Sequence, residues 1–236
     1  MKRIIQETED GSKTIYIEDW DETYHSKHGA VQEAFHVFIK NGLHHFITDQ
    51  NKLKIIEIGL GTGLNAFITM LEAEKNKKPI EYVGVEKFPI SEKEFELVNY
   101  FEDVFKFYPE LQSRKKEFEE FYQHLYHCKW EEWIEISDYF KIKKIEEDFF
   151  NLKDSLEKEF DLVYFDAFGS KVQPKLWEID LLRIVDSLTK TNAIFTTYAA
   201  KGSIKRGLKE LGYIVEKRPG PSGKREMMVG LKNINH

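Results

Sequence analysis

A short apolar run, Leu53 to Ile58, ends at three alternate glycines, Gly59, Gly61 and Gly63, and opens directly into a helical pattern from Leu64 to Glu74. Strand, glycine turn and helix in that order begin a parallel α/β unit, with the turn at the carboxyl edge of the sheet. Glycines at such a turn let backbone N–H groups approach a ligand closely. Glu57, an acid just before the turn, speaks against a phosphate cradle and for a cofactor that carries positive charge. Spacing narrows the choice further. A dinucleotide fingerprint places its third glycine three residues after the second, where this chain has Leu64. S-adenosylmethionine, cationic at sulfur and free of phosphate, suits this turn better than NAD. A nicotinamide-dependent oxidoreductase stays open as the alternative.

The strand and helix alternation continues downstream. Ile80 to Val85 predicts a second strand ending at Glu86, and Ser91 to Phe107 a helix whose Ser91 and Glu94 form a capping box. Further strands are expected at Asp161–Phe165, Ala193–Thr197, Tyr213–Lys217 and Met227–Leu231, which together imply a doubly wound, predominantly parallel sheet. Ahead of this core, Ile4 to Glu18 turns at Glu9-Asp10-Gly11-Ser12 as a β-hairpin. Gly29 to Phe38 carries Val31, Ala34, Phe35 and Phe38 at helical spacing and stops at Asn41-Gly42. The expected organisation is a hairpin-and-helix flank over residues 1–50 and a cofactor-binding domain over 51–236, with an aromatic insert at 108–140. Within the insert, Leu111–Tyr126 reads as a helix, and Trp130–Ile136 and Phe140–Ile145 as a hairpin around Ser137-Asp138. Its aromatics, among them Phe118, Tyr122, Trp130 and Trp133, are expected to fill core under a loop rather than to stack on bases.

Composition excludes several classes. A chain of 236 residues that is 41% hydrophobic fits one decorated α/β domain. No run approaches the ~18 apolar residues of a membrane span, and Met1 to Asp10 is too polar for a signal peptide, so a cytoplasmic protein with no membrane partner is expected. Cys128 is the only cysteine, which excludes an internal disulfide and a cysteine-rich zinc site. His25, His28, His44 and His45 lack the spacing of metal ligands and are expected on the surface or flank; no metal is expected. Net charge of −6 does not advertise a nucleic-acid partner. Locally, however, Lys201, Lys205, Arg206, Lys209, Lys217, Arg218, Lys224 and Arg225 face only Glu210, Glu216 and Glu226. Such a basic segment serves either as a phosphate-binding face or as solvated surface.

Three acids stand where strands end. Glu86, roughly twenty residues beyond the glycine turn, is placed to accept ribose hydroxyl protons. Asp148 ends the next core strand, where it either accepts from an adenine amino group or is solvated with Glu146 and Glu147. Asp166 directly follows the apolar run Leu162–Phe165, which carries it to the ligand crevice of an open sheet unless it serves as a helix N-cap. Toward an amine, a carboxylate there can hold the nitrogen, aim its lone pair and collect the proton released after transfer.

Several pieces together resemble one family: Asp21–Ser26, Gln32–Phe38, Glu57–Asn65, Asp166-Ala167-Phe168, Thr196–Gly202 and Gly223–Met228. The chain is similar to the methyltransferase part of the bacterial tRNA 5-methylaminomethyl-2-thiouridine biosynthesis protein MnmC and its stand-alone form MnmD. The resemblance implies a class I SAM-dependent methyltransferase fold, Rossmann-like with the last strand antiparallel. It implies methyl transfer from S-adenosyl-L-methionine to the aminomethyl nitrogen of 5-aminomethyl-(2-thio)uridine at the tRNA wobble position. By the same resemblance Glu57, Gly59, Gly61, Gly63, Asn65 and Glu86 would hold the cofactor, Tyr24 and Asp148 would contact it, and catalytic Asp166 with Phe168 would line the meeting point of methyl and amine. Lys201, Arg206, Lys224 and Arg225 would form the footprint of the anticodon stem-loop. The bifunctional relatives carry a flavin domain; for this chain, ending at His236, the expectation is no FAD and a substrate supplied by a separate oxidoreductase or modification enzyme.

Overall fold

The computed structural model describes residues 2–48, 51–154, 156 and 158–232. It opens with a hairpin, β1 (Arg3–Glu7) against β2 (Lys13–Ile17), whose turn is closed by Thr8 and Asp10 side chains bonding Ser12. A two-residue strand, β3 (Glu22–Thr23), adds to β2 and completes a small three-stranded sheet. Helix α1 (Ala30–Ala34) follows and widens into a π-helical stretch, Phe35–Lys40.

The main sheet then assembles. Strand β4 (Leu53–Ile58) leads through the glycine turn into α2 (Leu64–Asn76) and back as β5 (Ile80–Glu86). Helices α3 (Glu92–Val98), α4 (Phe101–Phe105) and α5 (Lys115–His127) precede β6 (Trp133–Ser137) and β7 (Phe140–Glu146). The second half contains β8 (Phe160–Phe165), α6 (Ile179–Ser187), β9 (Thr189–Thr197), α7 (Gly202–Glu210), β10 (Tyr213–Pro219) and β11 (Glu226–Lys232). Strand order across the eight-stranded sheet is β10-β11-β9-β8-β4-β5-β7-β6. β4, β5, β7, β8 and β9 run parallel, and β11 inserts antiparallel between β9 and β10, as expected for a class I methyltransferase fold.

Side chains of the central strands alternate between two cores, as the period of a strand requires. Ile55, Tyr82, Leu162 and Tyr164 face the layer of α1 to α5, whereas Ile56, Ile58, Val83, Val85, Val163 and Phe165 face α6 and α7. Glu57 therefore shares the face of Ile55 and points under α2. Helix α2 is buried along its whole length from Leu64 to Glu74, because the sheet, α1 and α5 cover different sides of it.

Two helices differ from their sequence pattern. The expected helix Ser91–Phe107 keeps its capping box, Ser91 with Glu94, but breaks at Asn99, which adopts a left-handed φ of 30°. Asparagine tolerates that conformation, and the Tyr122 hydroxyl accepts the following N–H, Tyr100 N, at 3.1 Å. The helix expected from Leu111 starts instead as a 3-10 turn, Pro109–Arg114, and becomes α-helical at Lys115. The aromatic stretch after Tyr108 enters the same sheet and core: Phe118, Tyr122 and Phe140 are buried, while Trp133 stays exposed. No helix among the described residues is long and apolar enough to cross a membrane.

Phe118 is fully buried, 5.7 Å centroid to centroid from Phe105 and beneath the Arg114 guanidinium. Truncation to alanine in Phe118→Ala is expected to cost about 3–5 kcal/mol, read as a lower urea midpoint at unchanged slope.

Candidate active site

The two halves of the sheet diverge between β4 and β8, and the loops after their carboxyl ends meet there. Such a switch point leaves a crevice above the sheet. Asp166 N donates to Ile58 O at 2.9 Å, so the loop that follows β8 lies against the glycine turn. This contact explains Gly59: at φ +94°, a Cβ would sit 2.6 Å from the Asp166 carbonyl oxygen. A cavity of about 730 Å³ opens above, within the range of small-molecule sites. Gly59, Gly61, Asn65 and Glu86 form its floor, Asp148 and Phe150 one side, and Asp166, Phe168 and Tyr198 the other. The N-terminal segment Trp20–His28 covers it, with Tyr24 packed edge-on to Phe168 at 4.9 Å.

Glu86 reaches the cavity with both oxygens positioned by backbone N–H groups, Gly61 at 3.0 Å and Phe88 at 2.9 Å. Burial raises its pKa and those two bonds offset only part of the effect. Asp148 also lines the cavity, where its Oδ2 accepts from Lys87 Nζ at 2.5 Å and its Oδ1 from Phe150 N at 3.0 Å. Burial pushes this carboxyl up, yet Lys87 and the Phe150 N–H together outweigh it and hold Asp148 below the usual carboxylate range.

Asp166 accepts from Asn65 Nδ2 at 2.9 Å. No helix begins at this position, and the carboxylate caps none, which removes the N-cap alternative. Burial and then the nearby Glu33 push its pKa up, the Asn65 bond and Lys224 pull it back, and the balance lies at about 7. A carboxylate balanced there can take and release a proton near neutral pH.

Two expected cofactor contacts stand back from the cavity. Glu57 is fully buried, with Oε1 accepting from Asn65 Nδ2 at 2.7 Å and Oε2 from the Tyr82 hydroxyl at 2.7 Å. It lies on the inward face of β4, does not line the cavity, and holds the Asn65 amide that does. Gly63 turns the chain into α2 at φ +75° and lines a smaller cavity of about 310 Å³ beside Leu125 and Cys128.

His25, Glu33 and Tyr198 are among the cavity residues that lie outside the sequence-based set. His25, expected on the surface or flank, lines it and is tied to Tyr100 Oη at 3.1 Å and Thr62 Oγ1 at 3.5 Å; burial lowers its pKa to about 4, leaving a neutral imidazole. Glu33 and Tyr198 also face inward, although both fall inside segments that carry the family resemblance. Among the basic candidates, Lys201, Arg206 and Arg225 are exposed and form no ion pair within the described residues, whereas Lys224 turns into the cavity and pairs with Glu33. Among the described residues no group of three or more histidine, cysteine, aspartate or glutamate side chains is placed to hold a metal ion.

Known proteins place this arrangement. A family described as S-adenosyl-L-methionine-dependent methyltransferase matches residues 110–233, over half of the chain. The tRNA 5-methylaminomethyl-2-thiouridine biosynthesis bifunctional protein MnmC of Leptospira borgpetersenii is 32% identical over 224 residues, covering 89% of this chain and 32% of the relative. The chain thus spans about a third of the length of such curated relatives. The crystal structure of MNMC2 from Aquifex aeolicus superposes with a TM-score of 0.76 at 21% identity, over 97% of this chain and 69% of that one. Spermidine synthase from Thermotoga maritima shares the fold at a TM-score of 0.56 and 12% identity, over 99% of this chain and 70% of that one.

The residues present fit the cofactor of that family. Asn65 Oδ1 is buried without a hydrogen-bond partner and is an acceptor for an ammonium group. Glu86 keeps lone pairs for ribose hydroxyls, and Gly61, whose Cβ would meet the Tyr24 ring at 3.2 Å, leaves the turn low enough for a ligand.

A carboxyl raised from 3.8 in the open chain to about 7 in the fold loses stabilisation as pH climbs between those values. Asp166→Asn is therefore expected to gain melting temperature over the parent as pH rises from 4 to 7, with a constant gain above, in thermal scans across pH. Fold, crevice and family match agree: this chain belongs to the S-adenosyl-L-methionine-dependent methyltransferase family.

Proposed function

We propose that this methyltransferase acts on the exocyclic amine of 5-aminomethyl-(2-thio)uridine at the wobble position of tRNA. The observation that carries the reading is the far end of the cavity, where Asp166, Glu22 and Glu33 face inward between the aromatic rings of Trp20, Phe168 and Tyr198. Carboxylates set among aromatic faces suit a cationic or amine-bearing group next to a planar one. Identity with MnmC of Leptospira borgpetersenii over most of the chain supports tRNA as the bearer of that amine. So does the exposed basic trio Lys201, Arg206 and Arg225, which is suited to backbone phosphates.

When bound, the cofactor supplies an electrophilic methyl group on a sulfonium sulfur: the amine lone pair forms the N–C bond while the C–S electron pair stays on sulfur. The chain's own residues do the rest by position and charge. Glu57 holds Asn65, and Asn65 holds Asp166, so the carboxylate meets the amine without rotating. Asp166 then takes the proton that the new secondary ammonium must lose, as a group balanced near neutrality can. Tyr24 from the N-terminal segment and Phe168 from the loop after β8 pack edge-on at 4.9 Å and wall the cavity beside Asp166. Substrate would come from a separate enzyme that exposes the aminomethyl group, in the cytoplasm.

Incubation of undermodified tRNA with the protein and S-adenosyl-L-methionine, followed by mass analysis of nucleosides, is expected to show aminomethyl-uridine heavier by one methyl group. Its absence, with methyl transfer to a small diamine instead, would replace tRNA by a free amine as the substrate.

A further inference from the structure

Lys224 sits on the turn between β10 and β11, and that turn is tightly specified. Lys224 N donates to Pro221 O at 2.9 Å and Gly220 N to Arg225 O at 3.2 Å. Gly223, at φ +81°, packs so closely on His28 that a Cβ would reach 1.9 Å from the imidazole. His36 Nε2 and Pro219 O, 2.7 Å apart, fasten the turn to the π-helical stretch. The side chain is fixed as well. Its ammonium pairs with Glu33 and lies 3.7 Å from the centroid of the Tyr198 ring. Glu33 in turn accepts from Ser26 N at 2.8 Å, and the Tyr198 hydroxyl donates to Ala167 O at 2.9 Å, one residue from Asp166.

Unlike exposed Lys201, Arg206 and Arg225, Lys224 is only 33% exposed and its ammonium is already engaged by Glu33 and the Tyr198 ring. It faces the same space as Asp166, Glu22 and Glu33. Those three carboxylates alone would favour the ammonium form of an amine, which has no lone pair to attack with. One fixed cation among them opposes that effect. The other charged groups lining this space are engaged elsewhere or stand at its exposed rim: His25 is neutral, Lys87 pairs with Asp148, Glu86 accepts from the Gly61 and Phe88 N–H groups, Asp21 accepts from the Tyr16 hydroxyl, exposed Lys27 lies over the Tyr16 ring, Lys175 is exposed, and exposed His28 pairs with Glu9.

We propose that Lys224 belongs to the reacting site rather than to a phosphate footprint, and that its anchored ammonium holds Asp166 ionised and the incoming amine unprotonated. The role rests on the amine reading of the cavity. Lys224 is among the groups that pull Asp166 back toward about 7, against burial and Glu33.

The test is a carbon-13 NMR titration of aspartate carboxyls in the full chain, with Asp166 assigned by the signal lost in Asp166→Asn. Lys224→Gln is expected to raise the Asp166 midpoint by about one pH unit, Lys224→Arg to restore it, and Glu33→Gln to lower it. Lys224→Gln and Glu33→Gln break the same ion pair, so a purely structural role would move the midpoint in the same direction in both. An unmoved midpoint in Lys224→Gln, or an upward one in Glu33→Gln, overturns the proposal. So does a fall of about one in the salt slope of tRNA binding in Lys224→Gln, which would assign the lysine to phosphate. Failure of the wild-type protein to methylate wobble uridine would refute tRNA as substrate and leave these midpoints to decide the role of Lys224.

Discussion

A buried carboxylate organises the molecule. Glu57 joins the Tyr82 hydroxyl on β5 to the Asn65 amide at the start of α2, and the same amide nitrogen reaches Asp166 beyond β8. Three core strands and the first core helix thus converge on one chain of hydrogen bonds that runs from the buried core to the cavity. Burial raises the Glu57 pKa well above the ordinary range, and the bonds from Tyr82 and Asn65 partly compensate. A buried network of this kind is costly where a member lacks a partner, as Asn65 Oδ1 does within the protein, and it holds the Asp166 carboxylate in one orientation. Glu57 fixes Asn65 from beneath a cavity that it does not itself line.

Much of this was legible in the chain because the signals are local. The apolar run before Gly59 fixes β4, alternate positions fix which face each residue takes, and the run Leu162–Phe165 carries Asp166 to the crevice. Glu86 follows from the same logic one strand away. What could not be read depends on partners far apart in sequence. Lys224 and Glu33 are separated by 191 positions, and His25 and Tyr100 by 75. No periodicity reports such pairs. The break at Asn99 has the same origin, since the Tyr122 hydroxyl from a later helix accepts the freed N–H.

The N-terminal segment shows how one set of residues serves two ends. Its strands build a separate small sheet, yet Tyr24 and His25 lie on the glycine turn of the main domain. Neutral His25 bonds both Thr62 in that turn and Tyr100 beyond the break in the helical layer. The cover of the cavity is therefore fastened to its floor by buried polar contacts, and Lys224 closes the remaining side through Glu33 on α1.

Cofactor and acceptor are expected to meet above the junction of β4 and β8. A crystal structure with S-adenosylhomocysteine bound would locate that meeting point. The ribose is predicted on Glu86 and the sulfur facing Asp166 across the cavity. Ligand density in the smaller cavity beside Leu125 and Cys128, with Asp166 remote from sulfur, would contradict the account.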